Sequence, residues 1–378
     1  MDSQRIKLRR QIDDSYPVII DQTVFQRIAQ DLKTSPLGRK YAVITDSRVV
    51  DLYGSKLSAA LCERGIDACS LYFKEGERSK NPEVWLKLTQ GLLDMGFNRN
   101  DCIIALGGGV AGDLAGFVAA TYMRGIPWVQ VPTSLLAMAD ASIGGKVGID
   151  LHSGKNLAGA FWQPKAVYIG LECLKTLPKP HRLNGMAEIV KSGLVRDPEL
   201  FHLLERSGRD MLMGKTDALL RAMTRALKVK AAVVERDERE ISGERKILNY
   251  GHTIGHGLEA VSGYRLLHGF AVALGMRAAA RIAQEMGFLS EHDRLRQNEL
   301  LDALGFPAVL PRTMSPKIPT GSGWDKFFSL VLKDKKARAG MVEMVLLSGI
   351  GKVKKSCGQW TVPVGEHMLR LGIEEILE

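Results

Sequence analysis

The sequence predicts an α/β N-terminal domain of Rossmann-like character followed by a mainly α-helical C-terminal domain, and three observations carry that prediction. Short apolar runs alternate with helical stretches over the first half of the chain, the pattern of a mainly parallel sheet covered by helices. A glycine-rich turn at 107–113 lies between one such run and one such helical stretch. After Leu177-Pro178-Lys179-Pro180 the alternation stops, and apolar positions at three- and four-residue spacing dominate residues 182–304. The prolines mark a boundary, so residues 1–179 are read as the α/β domain and 180–378 as the mainly helical one.

In chain order, residues 41–46 read as a buried strand ending in a turn, 102–106 as a second, 128–132 as a third and 166–170 as a fourth. Helices are expected over 85–95 and 114–122. In the second half, Ala187-Glu188-Ile189-Val190-Lys191 sets a carboxylate in an otherwise apolar helical stretch, and His252 and His256 lie one helical turn apart, on one face. Residues 341–347 alternate and are expected as a strand or hairpin. There is no internal repeat and no low-complexity segment.

The 378 residues are enough for two domains with substantial cores. A hydrophobic content of 45% and a charged content of 25% are those of an ordinary globular protein. No apolar stretch reaches the roughly 18 residues a membrane span needs. The first residues, Met1-Asp2-Ser3-Gln4-Arg5, have no apolar core for a signal peptide. Five scattered cysteines without CxxC pairing fit a reducing, cytoplasmic setting. The net charge is +10, yet no basic run with interleaved aromatics suggests nucleic acid. Several lysines and arginines instead sit inside glycine-rich motifs, a placement that suits a small anionic substrate.

Gly107, Gly108, Gly109, Gly112 and Asp113 belong to a GxGxxG turn that follows a predicted strand and opens a predicted helix. Such glycines let the backbone approach a pyrophosphate, whose charge the helix N-terminus favours. The acidic residue expected about 20 positions on is missing; Asp46, ending an earlier strand, is the alternative partner for a ribose hydroxyl. This reads as a nucleotide site in a non-standard Rossmann arrangement. Asp140, Lys146, Lys155 and Asn156 lie in two further glycine-containing segments suited to phosphate or carboxylate. Histidine is scarce, 8 in the chain, yet His252, His256 and His268 cluster. Two histidines and Glu188 would leave a catalytic metal an open position; capping or core roles are the alternative.

Together these motifs resemble the 3-dehydroquinate synthases, a family of sugar phosphate cyclases. The matching stretches are Gly107–Asp113, Ala119-Ala-Thr-Tyr-Met-Arg-Gly125, Val131-Pro-Thr-Ser-Leu-Leu-Ala137, Ile143-Gly-Gly-Lys146, Gly154-Lys-Asn156, Gly185-Met-Ala-Glu-Ile-Val-Lys191, Leu248-Asn-Tyr-Gly-His-Thr-Ile-Gly-His256 and His268-Gly269. They span nearly the whole chain in order. The resemblance implies NAD at the glycine turn, with Asp46, Glu77, Lys80, Thr133, Ser134 and Thr176 as further contacts. It implies a divalent metal, zinc with cobalt as the alternative, held by Glu188, His252 and His268, and it gives His256 a catalytic role. With His256 it groups Lys146, Lys191, Arg245 and Asn249 as catalytic, and Arg124, Asp140, Lys155, Asn156, Lys230 and Lys336 as substrate-binding. The chain departs from the family pattern at Ser134 and Val147, where threonine is common, and at 241–244, which is one residue longer.

The implied reaction, a step of the shikimate pathway, takes 3-deoxy-D-arabino-heptulosonate 7-phosphate to 3-dehydroquinate and phosphate. It proceeds by transient oxidation with NAD, phosphate elimination, reduction and intramolecular aldol closure. A homodimer, with Arg124 reaching the partner's site, is part of the same expectation. Other cyclases, such as deoxy-scyllo-inosose and epi-valiolone synthases, and metal-dependent glycerol dehydrogenases are alternatives. Asn249 and His256 favour the dehydroquinate enzymes, and the set Lys146, Lys155, Asn156 and Arg245 argues against a dehydrogenase.

Overall fold

The computed structural model describes residues 13–213, 215–311, 327, 337–338 and 341–377. Lys336 lies outside them. The chain divides into two compact units, one formed by Met1–Val131 with Gly145–Ile169, the other by Pro132–Gly144 with Gly170–Glu378.

The first unit is built on a six-stranded sheet in the order β1 (Val18–Asp21), β8 (Val167–Gly170), β5 (Trp128–Pro132), β4 (Cys102–Gly107), β2 (Tyr41–Asp46), β3 (Ala68–Phe73). β2 pairs in parallel with both β3 and β4, and β5 with β8. The central strands β4 and β5 are buried at every position, so apart from Gln130 they are apolar on both faces, which is why they are legible as apolar runs. Helices α1 (Val24–Thr34), α2 (Ser47–Val49), α3 (Ser55–Cys62), α4 (Pro82–Asp94) and α5 (Gly109–Thr121) join the strands. The start of α4 is set by Asn81, whose side chain accepts the Val84 N–H, and by proline at the first turn. The core joins Leu88 and Leu92 of α4, Leu114 and Val118 of α5, Ile103 and Trp128. An antiparallel hairpin, β6 (Lys146–Leu151) with β7 (Gly154–Phe161), packs on α5.

The second unit holds α6 (Lys179–Val195), α7 (Pro198–Leu212), α8 (Thr216–Arg236), α9 (His252–Val261), α10 (His268–Glu285), α11 (Glu291–Leu304) and α12 (Glu366–Glu374). α6 is buried without a break from Leu183 to Val195, and α10 packs against α6, α9, α11 and α12. A helix buried on all sides keeps polar groups only if they find partners, and on α6 those groups are Asn184, Glu188, Lys191 and Ser192.

Three points refine the sequence reading. Residues 132–144 leave the sheet after β5, and their helical turn Ala137–Ala141 packs on α6 and α8. The compact units therefore do not divide at 179/180. Of residues 341–347, expected as a strand or hairpin, 341–344 form a strand, β10 (Met341–Met344), which pairs with β13 (Val362–Gly365) and with β9 (Ala337–Arg338), while β11 (Leu347–Gly349) pairs with β12 (Lys352–Val353). Strand β3 was overlooked because only Phe73 of its six residues is fully buried, which leaves no clean apolar run.

Candidate active site

In the first unit, the turn after β4 enters α5 with Gly107 at φ 154°. A Cβ added to Gly112 would lie 2.3 Å from Gln130 Nε2 of β5, so this glycine lets the helix sit close on the sheet, as the third glycine of a dinucleotide turn does. A Cβ on Gly107 would come within 3.5 Å of Asp46 Oδ2. Asp46, at the end of the neighbouring strand β2, is held by the N–H groups of Arg48 (3.0 Å) and Val49 (2.9 Å). Its carboxylate thus stands beside the glycine turn at the C-terminal edge of parallel strands, where nucleotides bind in open α/β sheets.

Lys80, almost fully buried, donates to Asp113 Oδ2 at 2.5 Å and to Asn156 Oδ1. Burial alone would lower its pKa, but Asp113 and Glu77 raise it, so the ammonium stays charged. Asn156, at φ 55°, donates its N–H to Asp150 (2.8 Å), and Lys155 pairs with Glu77 at 3.3 Å. The structure therefore brings Glu77, Lys80, Asp113, Lys155 and Asn156 into one polar network, although they come from three separate stretches of sequence. Lys146 opens β6 and is exposed. Arg124 is exposed on a turn with its backbone at φ 68°.

In the second unit, Lys230 donates to the Asp140 carbonyl at 2.6 Å and pairs with its carboxylate at 2.8 Å. Burial lowers its pKa even beside that carboxylate. Arg245, 3% exposed, donates to Gly144 O (3.2 Å) and Glu238 O, and its own N–H goes to Asp237 at 3.0 Å. Asn249 closes the same turn, Glu244–Asn249. Thr133 is buried, Ser134 accepts the Ala137 N–H at 3.3 Å, and Thr176 faces Cys173 O at 3.4 Å.

The ligand-like cluster belongs to the second unit. Glu188 on α6, His252 on α9 and His268 at the start of α10 offer ligand atoms that all lie within 4.8 Å of one another. Glu188 Oε1 is 3.3 Å from His268 Nε2 and 3.7 Å from His252 Nε2, and Lys191 forms an ion pair with Oε2. Glu188 is 1% exposed, so Lys191 and the two imidazoles are what its carboxylate meets in place of water. A buried carboxylate facing two imidazole Nε2 atoms is the donor set of a divalent site that leaves further positions open. Burial would raise the Glu188 pKa, but Lys191 first, then the two histidines, hold it well below the usual carboxylate range. Burial, then Lys191, pushes His252 well below its ordinary value. Burial also acts to lower His268, but hydrogen bonds to Glu188 and Glu259 reverse this and raise it to about 10.

His256 shares the α9 face with His252, their ring centroids 5.3 Å apart, but it is exposed and groups with Glu259 and His268, not with Glu188. The cluster facing Glu188 thus pairs His252 with His268. Sequence reasoning missed Glu259, Asp237 and Asn184, whose Oδ1 accepts the Gly269 N–H at 2.6 Å. A signal for Glu259 was present: it lies three residues after His256 and seven after His252, on their helix face.

A family profile described as 3-dehydroquinate synthase N-terminal matches residues 70–184, and one described as 3-dehydroquinate synthase C-terminal matches residues 185–337. The chain belongs to the 3-dehydroquinate synthase family. It is 42% identical over 340 residues to the 3-dehydroquinate synthase of Desulforamulus reducens, covering 90% of this chain and 92% of that one. It is 40% identical over 366 residues to that of Symbiobacterium thermophilum, covering 96% and 98%. Among solved structures, a 2-deoxy-scyllo-inosose synthase complexed with carbaglucose-6-phosphate, NAD+ and Co2+ is similar at TM-score 0.82 and 28% identity, covering 95% of this chain and 96% of that one. A 2-epi-5-epi-valiolone synthase from Streptomyces hygroscopicus with NAD+ and Zn2+ bound is similar at TM-score 0.85 and 26% identity, covering 98% of each. A probable glycerol dehydrogenase from Sinorhizobium meliloti shares the fold alone, at 16% identity and TM-score 0.64. The fold is the expected one, and among the described residues no helix is long and apolar enough to cross a membrane.

Proposed function

We propose that the 3-dehydroquinate synthase reaction, a carbon–oxygen lyase reaction on 3-deoxy-D-arabino-heptulosonate 7-phosphate, is carried in this chain by the residues assembled above. The observation that carries the reading is the convergence of Glu188, His252 and His268, whose ligand atoms all lie within 4.8 Å of one another. These three would hold a divalent ion, zinc or cobalt. Gly107, Gly108, Gly109, Gly112 and Asp113, with Asp46, Glu77, Lys80, Thr133, Ser134 and Thr176, would hold NAD. When bound, NAD supplies transient oxidation and re-reduction of a ring alcohol, and the ion polarises that alcohol's oxygen.

The protein's own groups do the rest. Lys191, Lys230 and Arg245 are buried cations with few freedoms to lose, and with Lys146, Lys155, Asn156 and Asn249 they suit fixing the carboxylate and phosphate of a small sugar-acid phosphate. Asp140 holds the Lys230 ammonium in place. His256 is exposed beside the two ligand histidines, and its imidazole suits taking and returning protons at the substrate's hydroxyl oxygens. A homodimer, with Arg124 exposed for a neighbouring subunit's substrate, and a cytoplasmic setting belong to the same proposal. A monomer by light scattering with full activity would remove the dimer.

The test is to incubate the purified protein with NAD, zinc and the heptulosonate phosphate. Phosphate release and 3-dehydroquinate without net NADH is the expected result. Steadily accumulating NADH would select a dehydrogenase, and turnover confined to a different sugar phosphate would select another cyclase. His268→Ala is expected to lose the metal, measured by elemental analysis, while NAD binding survives; full metal content would remove His268 from the ligand set.

A further inference from the structure

Both histidines that face Glu188 turn their other ring nitrogen toward an acceptor. His252 Nδ1 lies 3.1 Å from the Tyr250 carbonyl, and His268 Nδ1 lies 3.2 Å from Glu259 Oε2. The first acceptor is neutral backbone and the second a carboxylate. Glu259 is only 4% exposed, and a carboxylate is retained in an apolar helix interface only with a partner that offsets its desolvation.

The chain that links the two residues is tightly tied. Ser262 Oγ donates to Glu259 O (2.8 Å) and accepts the Leu266 N–H (3.2 Å), and Tyr264 N–H donates to Glu259 O at 2.8 Å. This turn folds residues 262–267 back so that the first residue of α10 stands over the carboxylate near the end of α9.

We propose that Glu259 is a positioning residue of the metal centre: its carboxylate accepts the Nδ1–H of His268 and thereby presents Nε2 to the ion. The inference rests on the reading of His268 as a ligand. An imidazole has two nitrogens, and the one that carries the proton is set by what that side of the ring touches. A carboxylate at Nδ1 fixes the tautomer, holds the ring plane and increases the electron density at Nε2, which strengthens the ligand. Glu259 also lies within ligand distance of His256 and His268, which would permit a second ion there. The placement of Glu259 on the Nδ1 side of a ring whose Nε2 faces Glu188 favours orientation over ligation, since one neutral imidazole cannot donate a lone pair from both nitrogens.

The experiment uses full-length protein stripped with chelator and titrated with zinc in competition with a chromophoric chelator, then with cobalt to read the visible absorption of the bound ion. Glu259→Gln keeps the side-chain volume and removes the charge. It is expected to weaken zinc binding by about 10- to 100-fold and to change the cobalt spectrum, with NAD affinity and the unfolding temperature of the stripped protein unchanged. Unchanged zinc affinity and cobalt spectrum in Glu259→Gln would overturn the proposal, as would two zinc ions per wild-type chain. If His268→Ala retains its zinc, the ligand reading itself has failed; if it loses zinc while Glu259→Gln binds normally, only the role of Glu259 has failed. Should Glu259→Gln not fold, long-range nitrogen–proton correlation spectra of histidine-labelled, zinc-loaded wild-type protein read the same point. Protonated Nδ1 and metal-bound Nε2 at His268 support the proposal, and the reverse assignment overturns it.

Discussion

His256 shows how much depends on one side chain's direction. It lies on the same helix face as His252, and spacing alone makes the pair an attractive two-histidine ligand set. In the structure the third member facing Glu188 is His268, brought in by the turn before α10, while His256 stays exposed. His256→Ala is therefore expected to keep its metal and to lose turnover by about a hundredfold to ten-thousandfold. Elemental analysis beside the phosphate-release assay checks it; a variant that arrives without metal and regains activity with excess zinc would return His256 to the ligand set. The residue types of the site were legible in the sequence because His252, His256, Glu188 and the glycine turn fall in local patterns. Asp237 was not, because a carboxylate that orients a backbone loop has no spacing rule of its own, and the place of Glu259 on the histidine face did not say which ring it meets.

Short elements hold these groups in register. Asp237 accepts the N–H groups of Ser242 and Arg245, each at 3.0 Å, and so shapes the loop that carries Arg245. Burial would raise its carboxyl, but those N–H groups outweigh it and hold the pKa below the ordinary value. Because the folded pKa is the lower one, the stabilisation is fully present above the ordinary value and is lost as pH falls through the folded one. Denaturant unfolding below about pH 4 should show this contribution disappearing in the wild type and absent throughout in Asp237→Asn; identical acid profiles would count against it.

The helices that carry the three ligand-like groups approach one another backbone to backbone. A Cβ on Gly269 of α10 would sit 2.1 Å from Asn184 O of α6, and one on Gly275 would sit 2.0 Å from Gly251 O, just before α9. Gly275→Ala is expected to cost about 1–3 kcal/mol and to weaken zinc binding, because it pushes α9 from α10. Unaltered stability by urea unfolding would show that the helices can separate without strain.

Over the whole molecule, the alternating half and the helical half were legible because buried central strands and amphipathic helices differ in apolar period. The neighbour relations were not. β8 sits between β1 and β5, and residues 132–144 join the helical unit, and both facts are set by contacts between distant residues that no local pattern records. The ligands should act at this scale through mass action. NAD at about a hundred times its Kd is expected to add about 2.7 kcal/mol to unfolding free energy, and chelation should remove the increment due to zinc while leaving that due to NAD. Denaturant titrations with each ligand alone and with both measure this, and a loss of NAD stabilisation on chelation would contradict it.

The ion pair of Lys191 with Glu188 has a consequence for the protein's handling. An interior carboxylate without its partner is ordinarily an uncompensated charge that destabilises the fold. Here the Lys191 ammonium is in contact with the carboxylate, so the two interior charges offset one another. Chelator-stripped protein is therefore expected to stay folded and to take up zinc or cobalt again, which circular dichroism before and after stripping checks; unfolding on chelation would contradict it.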